Sequence, residues 1–197
     1  MNARRNLVLM LSLAALVGMQ LACATEPPKS AEARHGLEDR GQQAIRDMEE
    51  KDPGLRSFLN QARGYAIFPE IGKGGLGVGG ASGRGVVYDQ GRMIGFAEMN
   101  QATIGAQIGG QTFAELVVFQ NEDALQRFQS SQGLKFSANV SAVAIKAGAA
   151  AAADYTDGVA VFTMPKGGAM LEASIGGQQF RFHPATDTGG SSPTTQP

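Results

Sequence analysis

Residues Ile71–Asp89 read IGKGGLGVGGASGRGVVYD. Within them, Gly75-Leu76-Gly77-Val78-Gly79-Gly80 satisfies G-x-G-x-x-G, the pattern of a dinucleotide-binding turn. That chemistry needs a strand, a glycine turn and then a helix, because the pyrophosphate rests on a helix N-terminus. Here the run leads into Gly85-Val86-Val87-Tyr88, which is strand-like. Gln101 to Ala106, where an acid for a ribose would fall, contains none. A P-loop fails too, since Gly72-Lys73 is followed by Gly74 in place of Ser or Thr. The stretch reads instead as a close-packed, bent pair of strands. Its missing side chains let backbones approach each other or a lipid.

Further along, Val143-Ala144-Ile145-Lys146 spells the V-A-I-K of a protein kinase. The kinase lysine belongs on the next strand beyond the glycine loop, and Lys146 lies far past Gly80. Neither H-R-D nor D-F-G occurs. The alternation reads as a strand. No G-x-S-x-G surrounds a serine, and His35 and His183 sit in a charged helix and at the edge of a tail. Two distant histidines and one leader cysteine do not make a metal site. The sequence therefore predicts no enzyme, no catalytic residue, no metal and no cofactor.

On the N-terminal side of the glycine run, Ser30 is placed to cap a helix from Ala31, with Leu37, Ala44, Ile45 and Met48 on one face. Asp52-Pro53 opens a second helix carrying Leu55, Phe58 and Leu59, ended by Gly64. From Tyr65 the period changes to two. A short strand is expected to break at Pro69, and Asp89-Gln90-Gly91 forms a hairpin turn. Asn121 caps a mid-chain helix stopped by Gly133, with Leu125 and Phe128 facing inward. Phe136, Ala138, Val140, Ala142 and Ala144 fall on one strand face. The run of alanines at 149–153 favours a helical turn, with a tight strand as the alternative. The last hairpin is expected to turn at Pro165-Lys166-Gly167-Gly168. The order of elements predicts an α+β fold with a largely antiparallel, strongly bent, glycine-rich sheet tending toward a barrel. Two N-terminal helices and one mid-chain helix accompany it.

The 197 residues allow one domain with short appendages, and 43% hydrophobic content supplies a core. Gly is high at 27 and Trp is absent, so the core draws on small and β-branched residues. The formal charge of −1 shows no basic surplus of the kind nucleic-acid binding needs. Arg4 and Arg5 precede an apolar run, Leu7 to Val17, that is too short for an ordinary transmembrane helix and reads as a signal peptide over residues 1–22. Two processing readings are open. Ala22-Cys23-Ala24 fits ordinary signal peptidase, whereas Leu21-Ala22-Cys23 resembles the end of a bacterial lipobox with Cys23 acylated. Cys23 is the sole cysteine, so no intrachain disulfide is possible and acylation is the simpler use for it. Ala24 carries no inner-membrane retention signal, which makes the periplasmic face of the outer membrane the expected destination. Soluble periplasmic or secreted protein is the alternative. Residues 23–30 read as a tether, 31–183 as the folded domain and 184–197 as a disordered tail.

Four blocks, in order, resemble the SYLF domain family over residues 62–182. They are ARGYAIFPEIGKGGLGVGGASGRGVVY, ATIGAQIGGQTFAELVVFQNEDALQRF, FSANVSAVA with its small-residue run, and VAVFTMPKGGAMLEASIGGQQF. The resemblance implies membrane-lipid binding. Eukaryotic members bind phosphoinositides and fungal relatives also bind actin. For a bacterial envelope only the general lipid role carries over. Lys73 and Arg84, flanking the glycine run, and Lys166 in the last hairpin are then the candidate contacts to anionic phospholipid. Nucleotide and nucleic acid are not expected partners. An envelope scaffold that binds protein partners without a specific lipid is the alternative function.

Overall fold

The computed structural model describes residues 28–130, 135–136 and 142–185. Helix α1 spans Ala31–Lys51 and α2 Gly54–Gln61. Strand β1 runs Gly64–Asp89, β2 Arg92–Phe119, and α3 Glu122–Gln129 follows. Two short strands, β3 (Lys135–Phe136) and β4 (Ala142–Ala144), precede β5, Val159–Pro184. The sheet order is β1-β2-β5-β3, with β4 also on β5. Only the β4–β5 pairing is parallel; the other pairings are antiparallel. The α+β, largely antiparallel architecture is thus as expected.

The three long strands dominate. β1 has 26 residues and would reach about 85 Å if straight. It instead doubles back on itself at Gly77, which takes a left-handed φ of +73°. The Gln90 amide donates to the Arg63 carbonyl at 3.0 Å, joining the two ends of the strand. The Tyr65 and Tyr88 rings stack with centroids 4.9 Å apart. Gly85 lies against Ile67 and Phe68, and Gly83 against Glu70 and Ile71. The bent pair of strands read from the glycine run is therefore present, and β2 and β5 follow the same bend. Leu76 pairs with Ile108 and Ile108 with Leu171 on one side of the fold line. Val78 pairs with Ile104 and Ile104 with Ile175 on the other.

Folding the sheet creates two apolar clusters. The inner one, between the halves, holds Phe68, Ile71, Val87, Met99, Phe119 and Phe180, closed at one end by Leu125 and Phe128 of α3. The outer one places Leu37, Ile45 and Met48 of α1 and Leu55 of α2 on Ile67, Val86, Leu116 and Phe162. Gly41 sets the helix–sheet spacing, since a Cβ there would lie 3.2 Å from Ile67. The α1 and α3 caps follow the sequence. Ser30 accepts from the Ala33 amide at 3.1 Å and Asn121 from Ala124 at 3.0 Å. At α2 the N-cap is Pro53 and not Asp52, although the Asp52 side chain still accepts from the Gly54 amide at 3.1 Å.

Four local expectations change. β1 does not break at Pro69; it bulges between Phe68 and Ile71 and continues. β5 does not turn at Pro165–Gly168, because β2 offers it one long partner. The irregularity is absorbed as a register shift opposite Thr112 and Phe113, with Gly168 at φ +87°. Residues 147–152 form a turn in place of a helix. The Asp52 carboxylate takes the Gly148 and Ala150 amides, at 3.3 and 2.6 Å, and Gly148 adopts φ +81°. In β4, Ala142 and Ala144 share one face, as expected; that face is exposed, with Val143 half-buried on the other. α2 ends at Gln61, so Gly64 opens β1 and does not stop the helix. Gly133, residues 137–141, the leader with Cys23 and the tail after residue 185 lie outside the described residues.

Candidate functional site

The bend carries the unusual surface. Leu76 is 76% exposed, Val78 67%, Ile104 71% and Ile108 58%, and these are the exposed large hydrophobics among the described residues. Cross-strand pairing brings Leu76 beside Ile108 and Val78 beside Ile104. The four therefore form one convex ridge along the fold line. Register places the backbone of Leu171 and Ile175 next in line. Neither 74–82 nor 99–114 contains a charged residue. Glu172 is the one charge of β5 between Lys166 and Arg181. An apolar patch of this kind, rimmed by neutral residues, marks an interaction surface.

Beneath the ridge the inner face is polar. Gln107 is 4% exposed and Thr103 2%. Thr103 Oγ1 donates to Gln107 Oε1 at 2.8 Å, and Gln107 Nε2 donates to the Thr103 carbonyl at 3.2 Å and the Gly77 carbonyl at 3.5 Å. A Cβ on Gly79 would lie 2.6 Å from Gln107 Oε1, and one on Gly75 3.1 Å from its Cδ. The glycine pattern that opened the reading is thus the slot into which this carboxamide fits. Deeper in, Glu115 is 1% exposed, accepts from Gln178 Nε2 at 2.9 Å, and leaves Oε1 unpaired. Burial pushes its carboxyl up to about 7, against the Gln178 hydrogen bond and the charge of Lys73.

The three candidate cations have different local surroundings. Lys73 is half-buried, two residues beyond the buried Ile71, and its charge acts on Glu115. It lines a cleft of about 450 Å³ walled by Gly72, Gly74, Gly110, Gly167 and Gly168. Arg84 is exposed, stands opposite Glu98 in the register, and lines a neighbouring cleft of about 640 Å³ under α1 with Arg40 and Glu70; Gly72 and Ser82 border both clefts. Lys166 is exposed, and its Nζ donates to the Pro69 carbonyl at 3.1 Å. Glu98 is itself buried and meets His183 Nε2 at 3.2 Å and Arg181 Nη1 at 3.9 Å. The ridge and Gln107 were missed from sequence. Leu76 and Val78 alternate with glycine as a buried strand face would, and only the bend turns them outward.

Residues 100–187 match the family model described as Ysc84, Las17-binding protein actin regulator. That match overlaps the stretch whose sequence blocks resemble the SYLF family. The chain is also similar to Beta cell expansion factor A of Aeromonas veronii, with 28% identity over 157 residues. That match covers 78% of this chain and 59% of the relative, so the chain spans under two thirds of the relative's length. Among the described residues no helix is long and apolar enough to cross a membrane.

Proposed function

We propose that this protein is a non-enzymatic membrane-lipid-binding protein that inserts the ridge of its folded sheet into a bilayer. The observation that carries the reading is the exposure of Leu76, Val78, Ile104 and Ile108 on one convex, uncharged surface. Fully removing each such side chain from water is worth about 1.5–3 kcal/mol. A surface cation contributes about 1 kcal/mol, and Lys73 and Lys166 are already engaged within the protein. Apolar insertion thus outweighs headgroup attraction, and zwitterionic lipid suffices. The fold family's association with lipid agrees with this. The actin-regulator description belongs to the matched family and is not carried here.

In the same proposal the chain is an envelope lipoprotein, acylated at Cys23 and held at the periplasmic face of the outer membrane. Several acyl chains anchor stably where one does not. The ridge then adds a second contact to the same or a facing membrane. Replacing Cys23 with Ser should abolish acylation and make unprocessed precursor accumulate; normal processing with the protein still in the membrane fraction would remove Cys23 as the anchor.

Vesicle flotation tests the lipid reading. The chain from Glu26 onward keeps every described element. It should float with phosphatidylcholine vesicles, and the pair Leu76→Ser and Ile108→Ser should abolish this without unfolding it. Binding only to anionic vesicles, lost on charge reversal at Lys73, Arg84 and Lys166, would instead make those cations the contacts. No flotation with any vesicle would favour the protein-binding scaffold.

A further inference from the structure

We propose that Gln107 is the positioning residue of the insertion ridge. Its buried amide holds the three-strand bend in the shape that sets the four aliphatic side chains on one surface. This rests on the lipid-insertion reading.

The argument begins with what a buried carboxamide requires. An amide taken from water into an apolar setting without partners is strongly disfavoured. Gln107 avoids this because both sides of its amide are used. Its oxygen accepts from Thr103 Oγ1, and its nitrogen donates to the Thr103 and Gly77 carbonyls. Those partners stand at the points where the chain changes direction. Gly77 is the apex of β1, 30 residues away in sequence, and Thr103 lies on the opposite side of the β2 bend. The side chain thus spans the fold line from inside, while Leu76, Val78, Ile104 and Ile108 flank the same line outside.

Gly75 and Gly79 complete the arrangement. A larger residue at Gly79 would occupy the space of the carboxamide, and one at Gly75 would strike the Gly79 and Val78 backbone first and the carboxamide next. The contacts of Gln107 are with Thr103, Gly75, Gly77 and Gly79, all at the bend, so the effect of its loss falls there. Without the amide, the Gly77 carbonyl and the Thr103 hydroxyl lose their partner, and the glycine-rich backbone is free to splay. The aliphatic pairs then leave a common surface, and insertion loses the simultaneous burial of its anchors.

The test combines three readouts on the chain from Glu26 onward with phosphatidylcholine vesicles. Gln107→Ala should lower vesicle affinity about tenfold, leave the main melting transition in place, and speed amide exchange at residues 76–80. In the Leu76→Ser, Ile108→Ser background the same change should have no further effect on flotation. Gln107→Glu should bind weakly at neutral pH and recover toward wild type in acid. There a neutral carboxyl again offers one acceptor and one donor. Wild-type affinity in Gln107→Ala would overturn the proposal. A collapse of the melting transition together with binding would make Gln107 merely a folding residue and overturn it equally. If the wild-type chain itself ignores vesicles, the lipid reading fails. Exchange at residues 76–80 then still decides whether Gln107 holds the bend.

Discussion

Glu115 and Gln178 are 63 residues apart in sequence and meet inside the folded sheet, with Gln178 Nε2 donating to Glu115 Oε2 at 2.9 Å. Glu115 belongs to the half of the sheet that contains Phe68, its partner in β1. Gln178 belongs to the other half, paired with Gln101. The bond therefore ties one layer to the other through a carboxyl that has lost its water.

Stability should fall with rising pH because of this group. The Glu115 carboxyl moves from 4.5 to about 7, chiefly through burial. Between those values the unfolded chain releases a proton that the fold retains. Stability is fully present below the lower value, declines across the window, and levels off above the upper one. The loss approaches about 3 kcal/mol. Glu115→Gln should flatten the decline and raise the melting temperature at about pH 8. A wild-type melting temperature that is constant between about pH 5 and 8 would contradict the assignment.

Asp52 should matter as much as a core side chain. Its carboxylate, 2% exposed, accepts from the Gly54, Gly148 and Ala150 amides at 3.1, 3.3 and 2.6 Å. Asp52→Ala leaves these donors without it and should cost about 2–4 kcal/mol in urea denaturation. A loss below about 0.5 kcal/mol would mean that water replaces the carboxylate.

Gly85→Ala should destabilise by overpacking. The added methyl would lie 2.7 Å from the Ile67 carbonyl oxygen and 2.7 Å from the Phe68 ring. The two halves of β1 must separate to admit it, at about 1–3 kcal/mol. Gly72→Ala is the control, because nothing lies within 4 Å of its new methyl. Equal melting temperatures for the two variants would show that the halves of β1 are not packed as described.

Vesicle binding should resist salt. Raising ionic strength from about 0.1 to 1 M shortens the screening length from about 10 to 3 Å and removes most attraction between exposed charges. An uncharged ridge is indifferent to this, so flotation on phosphatidylcholine should be unchanged. A severalfold loss would return the weight to Arg84 and the lysines.

The sequence was legible where structure is local. Ser30 and Asn121 announced their helices, because a cap needs only the next turn of chain. Gln90-Gly91 announced its hairpin in the same way, with φ of +47° and +78°. Pro69 and Pro165–Gly168 misled, since the same residues mark a loop or a bulge, and only a long paired neighbour decides between them. The fold was recoverable through the glycine run, whereas the ridge was not. Outward-facing Leu76 and inward-facing Ile71 look alike in a strand pattern, and their difference arises at Gly77. Gln107 resembled an ordinary polar strand residue, because its partners include a carbonyl a whole strand away.

β1 and β2 feed both apolar clusters from both sides of the bend, and β5 feeds the inner cluster from both sides and the outer one from its first half. Phe68, Val117 and Val161 come from one side of the inner cluster, Val87, Met99 and Phe180 from the other. Ile67, Leu116 and Phe162 in the outer cluster likewise meet Val86, Tyr88 and Phe96. No cut at Gly77, and none in the β1–β2 turn, yields a piece with a complete interior. The domain is therefore indivisible. It should melt as one cooperative unit, with neither half of the bend able to keep its interior alone.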